Sequence, residues 1–402
     1  MSLSDLLSYD EALARLLAAA RPLADIETVD TLAARGRVLA ADQTASVTVP
    51  AQDNSAMDGY AVRCADVPAP GVRLPVSQRI PAGSVGHRLA PGSAARIFTG
   101  APLPAGADAV VMQELCEHAG EEVLINHFPA PGEAVHRAGE DMQVGRVVLH
   151  GGTRLAPQHL AIAAAAGLAS LPVRRRLRVA VLCTGNELAM PGQPLPPGGL
   201  YNSNRYLVIA LLESLGCQVT DLGIVPDSLA ATREALRQAA RGQDLILSCG
   251  GVSVGEEDHV KPAVEAEGAL LMWKIALKPG KPLAFGRVGE TAFIGLPGNP
   301  VSSFVTFLML VRPYVLACQG GSRTTVEPLL LRAEFDRPRP DQRREFLRAR
   351  RTADGGVELF PNQGPHVLTS TGWADGLVDA PAGVPIGRGE AVRFLPFSEL
   401  LG

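Results

Sequence analysis

Between residues 6 and 20 the apolar positions recur at three- and four-residue intervals, which predicts an amphipathic helix with Pro22 as its stop. A second helical piece is expected over 30–39. From residue 41 the pattern changes to short apolar runs broken by Gly and Pro, such as AVVMQE (109–114) and EVLINHF (122–128). That is strand texture, and it persists to about residue 145. GRVVLHGGTRL and APQHLAIAAAAG then predict a strand and a helix that bring the chain back to the early helices. From 177 strands and helices alternate. The series runs LRVAVLCTG, a helix over 203–215 capped by Asn202 or Ser203 and stopped by Gly216, CQVTDLGIVPD, a helix over 228–240, and DLILSCGG. A helix over 259–267, a strand over 270–277 and TAFIGL follow, then PGNP opens an apolar helix with Asn299 as cap and Pro300 at its first position. Alternation at this spacing predicts a doubly wound, mostly parallel α/β sheet with crossover helices. After 320 the β texture returns in TTVEPLLLRAEF, REFLRARR, GVELFPN and AVRFLPF. The expected architecture is multidomain, α/β and β. An elongated helix-and-strand stem takes 1–40 and 146–176, a β-rich inserted lobe 41–145, the α/β domain 177–320, and a small β-barrel-like domain 321–402.

Composition narrows the function classes. With 402 residues, 47% of them hydrophobic, the chain can bury several cores. A formal charge of −4 and the lack of a long basic run argue against nucleic acid as principal partner. The six cysteines (Cys64, Cys116, Cys183, Cys217, Cys249, Cys318) are scattered, without C-x-x-C or metal-ligand spacing, so reduced thiols in the cytoplasm are expected. The opening MSLSDLLSYDEALARLL carries early acids and no basic region, which reads as a helix and not a signal peptide. No apolar run reaches the roughly 20 residues of a membrane span, and no membrane partner is expected.

Positive charge is distributed unevenly. Of 37 Lys plus Arg only four are Lys, namely Lys261, Lys274, Lys278 and Lys281, and no Arg lies between the first and the last. Lys is a compact, flexible point charge suited to phosphate and oxyanion groups, whereas Arg is a planar fork. Just upstream, a buried strand runs into Ser248, Gly250, Gly251, Ser253 and Gly255, small residues that let a backbone approach a phosphate-bearing ligand. In a sheet of this kind ligands sit outside the carboxyl ends of the strands. Thr184, Gly185 and Glu187, then Asp227, then 248–258, then Pro297 to Pro300 all fall at such ends. In WKIAL, two-residue alternation would put Lys274 and Lys278 on one face and Trp273, Ile275 and Leu277 on the other. Hydroxyls, amides and lysines beside carboxylates suit a phosphorylated substrate, with the acids holding Mg²⁺.

The lobe carries DNSAMDGYA (53–61), RIFTGAPLP (96–104) and RAGEDMQVG (137–145), each by itself an ordinary solvated turn. Arg343, Arg344, Arg348 and Arg350 in the last domain read as a solvated strand face.

Taken together, SAMDGYA (55–61), FTGAPLPAGADAVVMQE (98–114), AGED (138–141), TGNEL (184–188), SNRYL (203–207), SCGGVSVGEEDHVK (248–261), KPGKPLAFG (278–286) and LPGNPVSSF (296–304) resemble the molybdopterin molybdenumtransferase family, MoeA, also found as the E domain of gephyrin. These motifs stand in family order between residues 55 and 304. The resemblance implies an enzyme that takes adenylylated molybdopterin and molybdate, uses Mg²⁺ or Zn²⁺, inserts the metal at the dithiolene and releases AMP. It implies a homodimer whose site is shared between the α/β domain of one subunit and the lobe of the other, which would account for Asp58, Thr99 and Asp141 in the lobe. By the same resemblance Asp58 and Asp141 act in metal insertion or adenylate hydrolysis, while Glu187, Asp227 and Asp258 position the pterin or the divalent ion. Lys274 and Lys278, with Ser253, hold the phosphate and oxyanion, and Arg348 and Ser370 reach the molybdate region. Thr184, Gly185, Gly250, Gly251, Pro297 and Pro300 complete the expected substrate site. Asn186 stands where Asp is common, and Ser228 replaces a frequent second acid beside Asp227. Further partners would be the molybdopterin adenylyltransferase and downstream cofactor-handling proteins. The alternatives are that adenylyltransferase activity itself, a non-catalytic dimeric scaffold of the same fold, or a paralogue handling tungstate.

Overall fold

The alternating segment after residue 177 folds into a six-stranded sheet. Its spatial order is Gln218–Val225, Arg178–Thr184, Leu245–Cys249, Thr291–Leu296, Ala284–Val288, Gly268–Trp273. The structure is a computed structural model and describes residues 6–252 and 258–401. The first four strands are parallel, and the last two join by antiparallel pairing. Leu245–Cys249 is buried on both sides. Leu245, Leu247 and Cys249 pack with Leu212, Val305 and Leu308, whereas Ile246 packs with Leu236 and Val264 on the opposite face. One strand therefore serves two helical layers, which is why it reads as a continuous apolar run.

Helices form where their caps were legible. The Asn202 side chain accepts the Arg205 N–H at the head of Ser203–Ser214, and Ser228 does the same for Ala231 before Leu229–Ala239. Asn299 and Pro300 do open the helix Pro300–Thr306, although the Asn299 side chain makes no capping bond. The helix continues through a π-helical stretch, Phe307–Val311, to Cys318. By length and composition this rod of 19 residues could cross a membrane, but it is almost wholly buried inside the protein, where it is the spine of the largest core.

The first helix is Tyr9–Ala19, closed by a Ser8–Glu11 capping box. The helix expected over 30–39 shrinks to one 3₁₀ turn, Leu32–Ala34. Backbone pairing with the returning segment wins there: Gly36, Leu39 and Thr31 donate to Leu155, Thr153 and Ala169. The preceding strand Ile26–Asp30 pairs antiparallel with Ser170–Arg174. The lobe is a curled six-stranded sheet in the order Ala109–Met112, Gly59–Val62, Ala94–Ile97, Val72–Ile80, Glu122–Ile125, Cys116–Ala119.

In the C-terminal region Leu329–Ala333, Arg344–Arg351, Gly356–Leu359, Gly376–Ala380 and Ala391–Pro396 close into a five-stranded barrel around Leu347, Ala349, Val378 and Phe394. Two expectations fail at its edge. The strand read over 270–277 ends at Trp273, because Lys274 takes φ 64°, and Leu277–Lys278 leaves the α/β sheet to pair in parallel with Arg344–Arg351. The alternation that would have put Lys274 and Lys278 on one face is thereby broken. Nor are the arginines a solvated face. The outer side of Arg344–Arg351 packs on the α/β domain and the first helix, so Phe346 joins the large core and Tyr9 meets it edge to face. Arg344 bonds Asp379 and Asp10, Arg343 bonds Asp341, and Arg348 is 0% exposed. Only Arg350, half-exposed beside Glu358 and over the Trp373 ring, keeps a surface character.

Candidate functional site

At the carboxyl ends of the parallel strands lies a cleft of about 690 Å³. Thr184, Gly185, Glu187, Asp227, Gly250, Gly251, Asp258, Pro297 and Pro300 all line it, together with Asn202, Asn204, Ser302 and His366. Its floor depends on glycine. Gly251 has φ 65°, and a Cβ there would come within 2.5 Å of Val260 and 2.8 Å of Thr184 Oγ1. Thr184 Oγ1 and Asn202 Nδ2 are buried without a hydrogen-bond partner among the described residues, donors that a polar ligand can satisfy.

The loops around this floor are tied to one another. Asn186 donates its N–H to the Asp227 carboxylate at 2.9 Å, and its side-chain oxygen accepts the Asp227 N–H at 3.1 Å. An aspartate at 186 would set two carboxylates together in this exchange, so the departure to Asn relieves repulsion while keeping the bond. Asn204 holds the 297–300 loop through the Gly298 carbonyl at 2.7 Å. The C-terminal region reaches the same rim, where Val301 N–H donates to the Pro365 carbonyl.

Glu187, Asp227 and Asp258 share the cleft, yet among the described residues no three acids or imidazoles converge as a complete metal cage. Their oxygens suit Mg²⁺, which takes one or two carboxylates and completes its shell from substrate and water. Ser253 lies outside the described residues.

The lysines sit differently from the expectation. Neither Lys274 nor Lys278 lines the cleft. Lys278 Nζ lies 3.0 Å from both Asp341 and Glu345 of the barrel region. Arg343 hydrogen-bonds Asp341 and, with Lys278, holds that carboxyl well below the usual carboxylate range. Lys261 pairs along its own helix with Glu265 and lies over the Trp273 ring.

Arg348 and Ser370 do come together, with Arg348 Nε donating to Ser370 Oγ at 3.0 Å, and both are 0% exposed. Arg348 also donates to the carbonyl of Gly364, in the loop that carries His366 to the cleft. Its Nη1 has no partner among the described residues, and burial lowers the guanidinium pKa to about 10. Sequence reasoning had no local signal for this burial.

The lobe residues form a separate constellation. Thr99 donates both its N–H and its hydroxyl to Asp58 at 2.8 Å, and these bonds hold that carboxyl below its ordinary range. Asp53, which was not singled out, staples two of the turn clusters by accepting from Ala138 N–H at 2.8 Å and from Arg137 at 2.6 Å. Asp141 donates its backbone N–H to the Val49 carbonyl at 3.1 Å. No described residue of 41–145 lines the cleft of the same chain.

The sequence matches three family descriptions in chain order. They are the MoeA N-terminal region (domain I and II) over 7–167, a probable molybdopterin binding domain over 180–317, and the MoeA C-terminal region (domain IV) over 331–397. The molybdopterin molybdenumtransferase of Haemophilus influenzae is 37% identical over 406 residues, covering 99% of this chain and 100% of that one. The molybdopterin molybdenumtransferase 2 of Mycobacterium tuberculosis is 38% identical over 392 residues, covering 94% and 95%. A solved molybdopterin biosynthesis MoeA protein from Pyrococcus horikoshii superposes with a TM-score of 0.85 at 29% identity, over 97% of this chain and 99% of that chain.

Proposed function

The chain belongs to the MoeA family, and from that premise we propose how its residues divide the work of the transferase reaction. It is a molybdopterin molybdenumtransferase, acting at the molybdenum-insertion step in which molybdate and adenylylated molybdopterin give the molybdenum cofactor and AMP. Neither an adenylyltransferase nor a scaffold is favoured, since the transferases match this chain along its whole length. The observation that carries the assignment of roles is the cleft itself, which gathers nine of the expected substrate residues from four separate loops.

In this reading Thr184, Gly185, Gly250, Gly251, Asp258, Pro297 and Pro300 shape the bed for the pterin substrate, and Ser253 is assigned to the phosphate. One or two of Glu187, Asp227 and Asp258 would hold a Mg²⁺ (or Zn²⁺) ion, which when bound neutralises charge on the phosphate that leaves as AMP. Bringing two oxyanions together is costly. Two like unit charges at 4 Å repel by about 4 kcal/mol at an effective dielectric of about 20. Lys278, with Lys274 and the buried pair Arg348 and Ser370, offsets that repulsion on the side of the C-terminal region. Asp58, Thr99 and Asp141 lie outside the cleft of their own chain, and this supports a homodimer in which the lobe of one copy serves the cleft of the other. The enzyme would work in the cytoplasm, where its thiols stay reduced. The adenylyltransferase that supplies its substrate and the proteins that take up the product are the partners this reading brings.

The test is AMP release from adenylylated molybdopterin by the purified protein with Mg²⁺, with and without molybdate. Release that requires molybdate and yields a cofactor able to activate an apo-molybdoenzyme supports the division of roles; tight adenylate binding without release refutes it. Asp58→Asn removes the charge and keeps the shape beside Thr99, so it should retain adenylate binding and lose metal insertion. Loss of adenylate binding in that variant would move Asp58 from chemistry to recognition.

A further inference from the structure

Lys278 is held by a cluster assembled from two domains. Its backbone belongs to the two-residue strand Leu277–Lys278, which extends the barrel and registers Lys278 opposite Glu345. Its ammonium bonds Glu345 and Asp341, both at 3.0 Å. Glu345 is 3% exposed and also pairs with Arg337, so it cannot follow the lysine outward. Asp341 is fixed by three bonds from Arg343. An ammonium has three N–H donors, and two are committed here. Lys278, Arg337 and Arg343 against Asp341 and Glu345 leave one net positive charge, on a lysine that is still 41% exposed.

We propose that Asp341 and Glu345 are positioning residues for the transferase reaction, holding the Lys278 ammonium so that its remaining N–H is presented to the substrate oxyanion. The inference rests on the assignment of Lys278 to the anion clamp made above. A free lysine would spread its charge over many rotamers, whereas Glu345 on the barrel strand and Asp341 in the segment before it fix it at the cost of some of its attraction for anions. The device also makes the C-terminal barrel a part of the chemistry. Without the barrel, the 277–281 loop loses both its strand partner and the clamp on its lysine.

The experiment compares wild type, Asp341→Asn, Lys278→Ala and the double variant in single-turnover AMP release with Mg²⁺, over a range of molybdate concentrations. Asp341 is used first because Glu345 is buried and its loss would strand Arg337. Circular dichroism verifies the fold of each variant. Asp341→Asn is expected to lower the maximal rate about tenfold while lowering the molybdate concentration for half-maximal rate, since the lysine is looser and the cluster more positive. In the Lys278→Ala background the same substitution should change the maximal rate less than twofold. An equal loss in both backgrounds, or no change of either constant in wild type, overturns the inference. Full turnover by Lys278→Ala alone overturns instead the role of Lys278 on which it rests.

Discussion

Lys278→Ala is expected to lower AMP release by about 10²- to 10³-fold, the loss that follows removal of one preorganised charged donor from a developing oxyanion. The protein should stay folded. Alanine keeps the backbone pairing of Leu277–Lys278 with Arg344–Arg351, and the two carboxylates released by the lysine retain Arg343 and Arg337. Removing the ammonium also leaves the cluster without its net positive charge, so the molybdate requirement should rise together with the loss of rate. The measurement is molybdate-dependent AMP release beside circular dichroism and thermal melting. Near-normal turnover with a native spectrum would take the oxyanion clamp away from Lys278.

Gly280→Ala should damage stability and activity together. Gly280 lies between Lys278 and Lys281 with φ 119°, and an added Cβ would stand 2.3 Å from the buried hydroxyl oxygen of Thr306. Thr306 sits on the core helix immediately before its π-helical stretch, so it has little room to retreat. Forcing an L-residue into that backbone costs about 1–3 kcal/mol, and overpacking adds about 1–3 kcal/mol more. Any shift of the loop that relieves the clash disturbs the segment that carries Lys278 against Asp341 and Glu345. Gly289→Ala is the control, because Gly289 also has positive φ (55°) but its Cβ would meet nothing within 4 Å. That variant should cost only about 1–2 kcal/mol and keep its turnover. Denaturant midpoints and AMP release for the pair decide the matter. If Gly280→Ala matches Gly289→Ala in both, the contact with Thr306 does not hold the loop.

The sequence by itself carried the elements and most of the cleft. Strand–helix alternation after 177, the caps Asn202 and Ser228, and the glycines after Ser248 are local signals, readable because burial on a face imposes a period and a turn imposes a residue type. The rule that ligands lie beyond the carboxyl ends of parallel strands gathers Thr184, Glu187, Asp227, Gly250 and Pro297 at one mouth, and all five line the cleft. What the tertiary structure decided was charge pairing and side-chain burial across domains. Period-two alternation placed Lys274 and Lys278 on one strand face, but the chain breaks at Lys274 because Leu277–Lys278 gains a ladder with the barrel. Its charge made Arg348 look solvated, although its strand is covered on its outer side by the α/β domain and the first helix. Asp53 and Glu345 gave no signal at all, since a carboxylate's partner is chosen by the fold and not by its neighbours in the chain. Periodicity reports only that a face is buried; which arginine, lysine or acid waits on the other side is settled by packing between segments far apart in sequence.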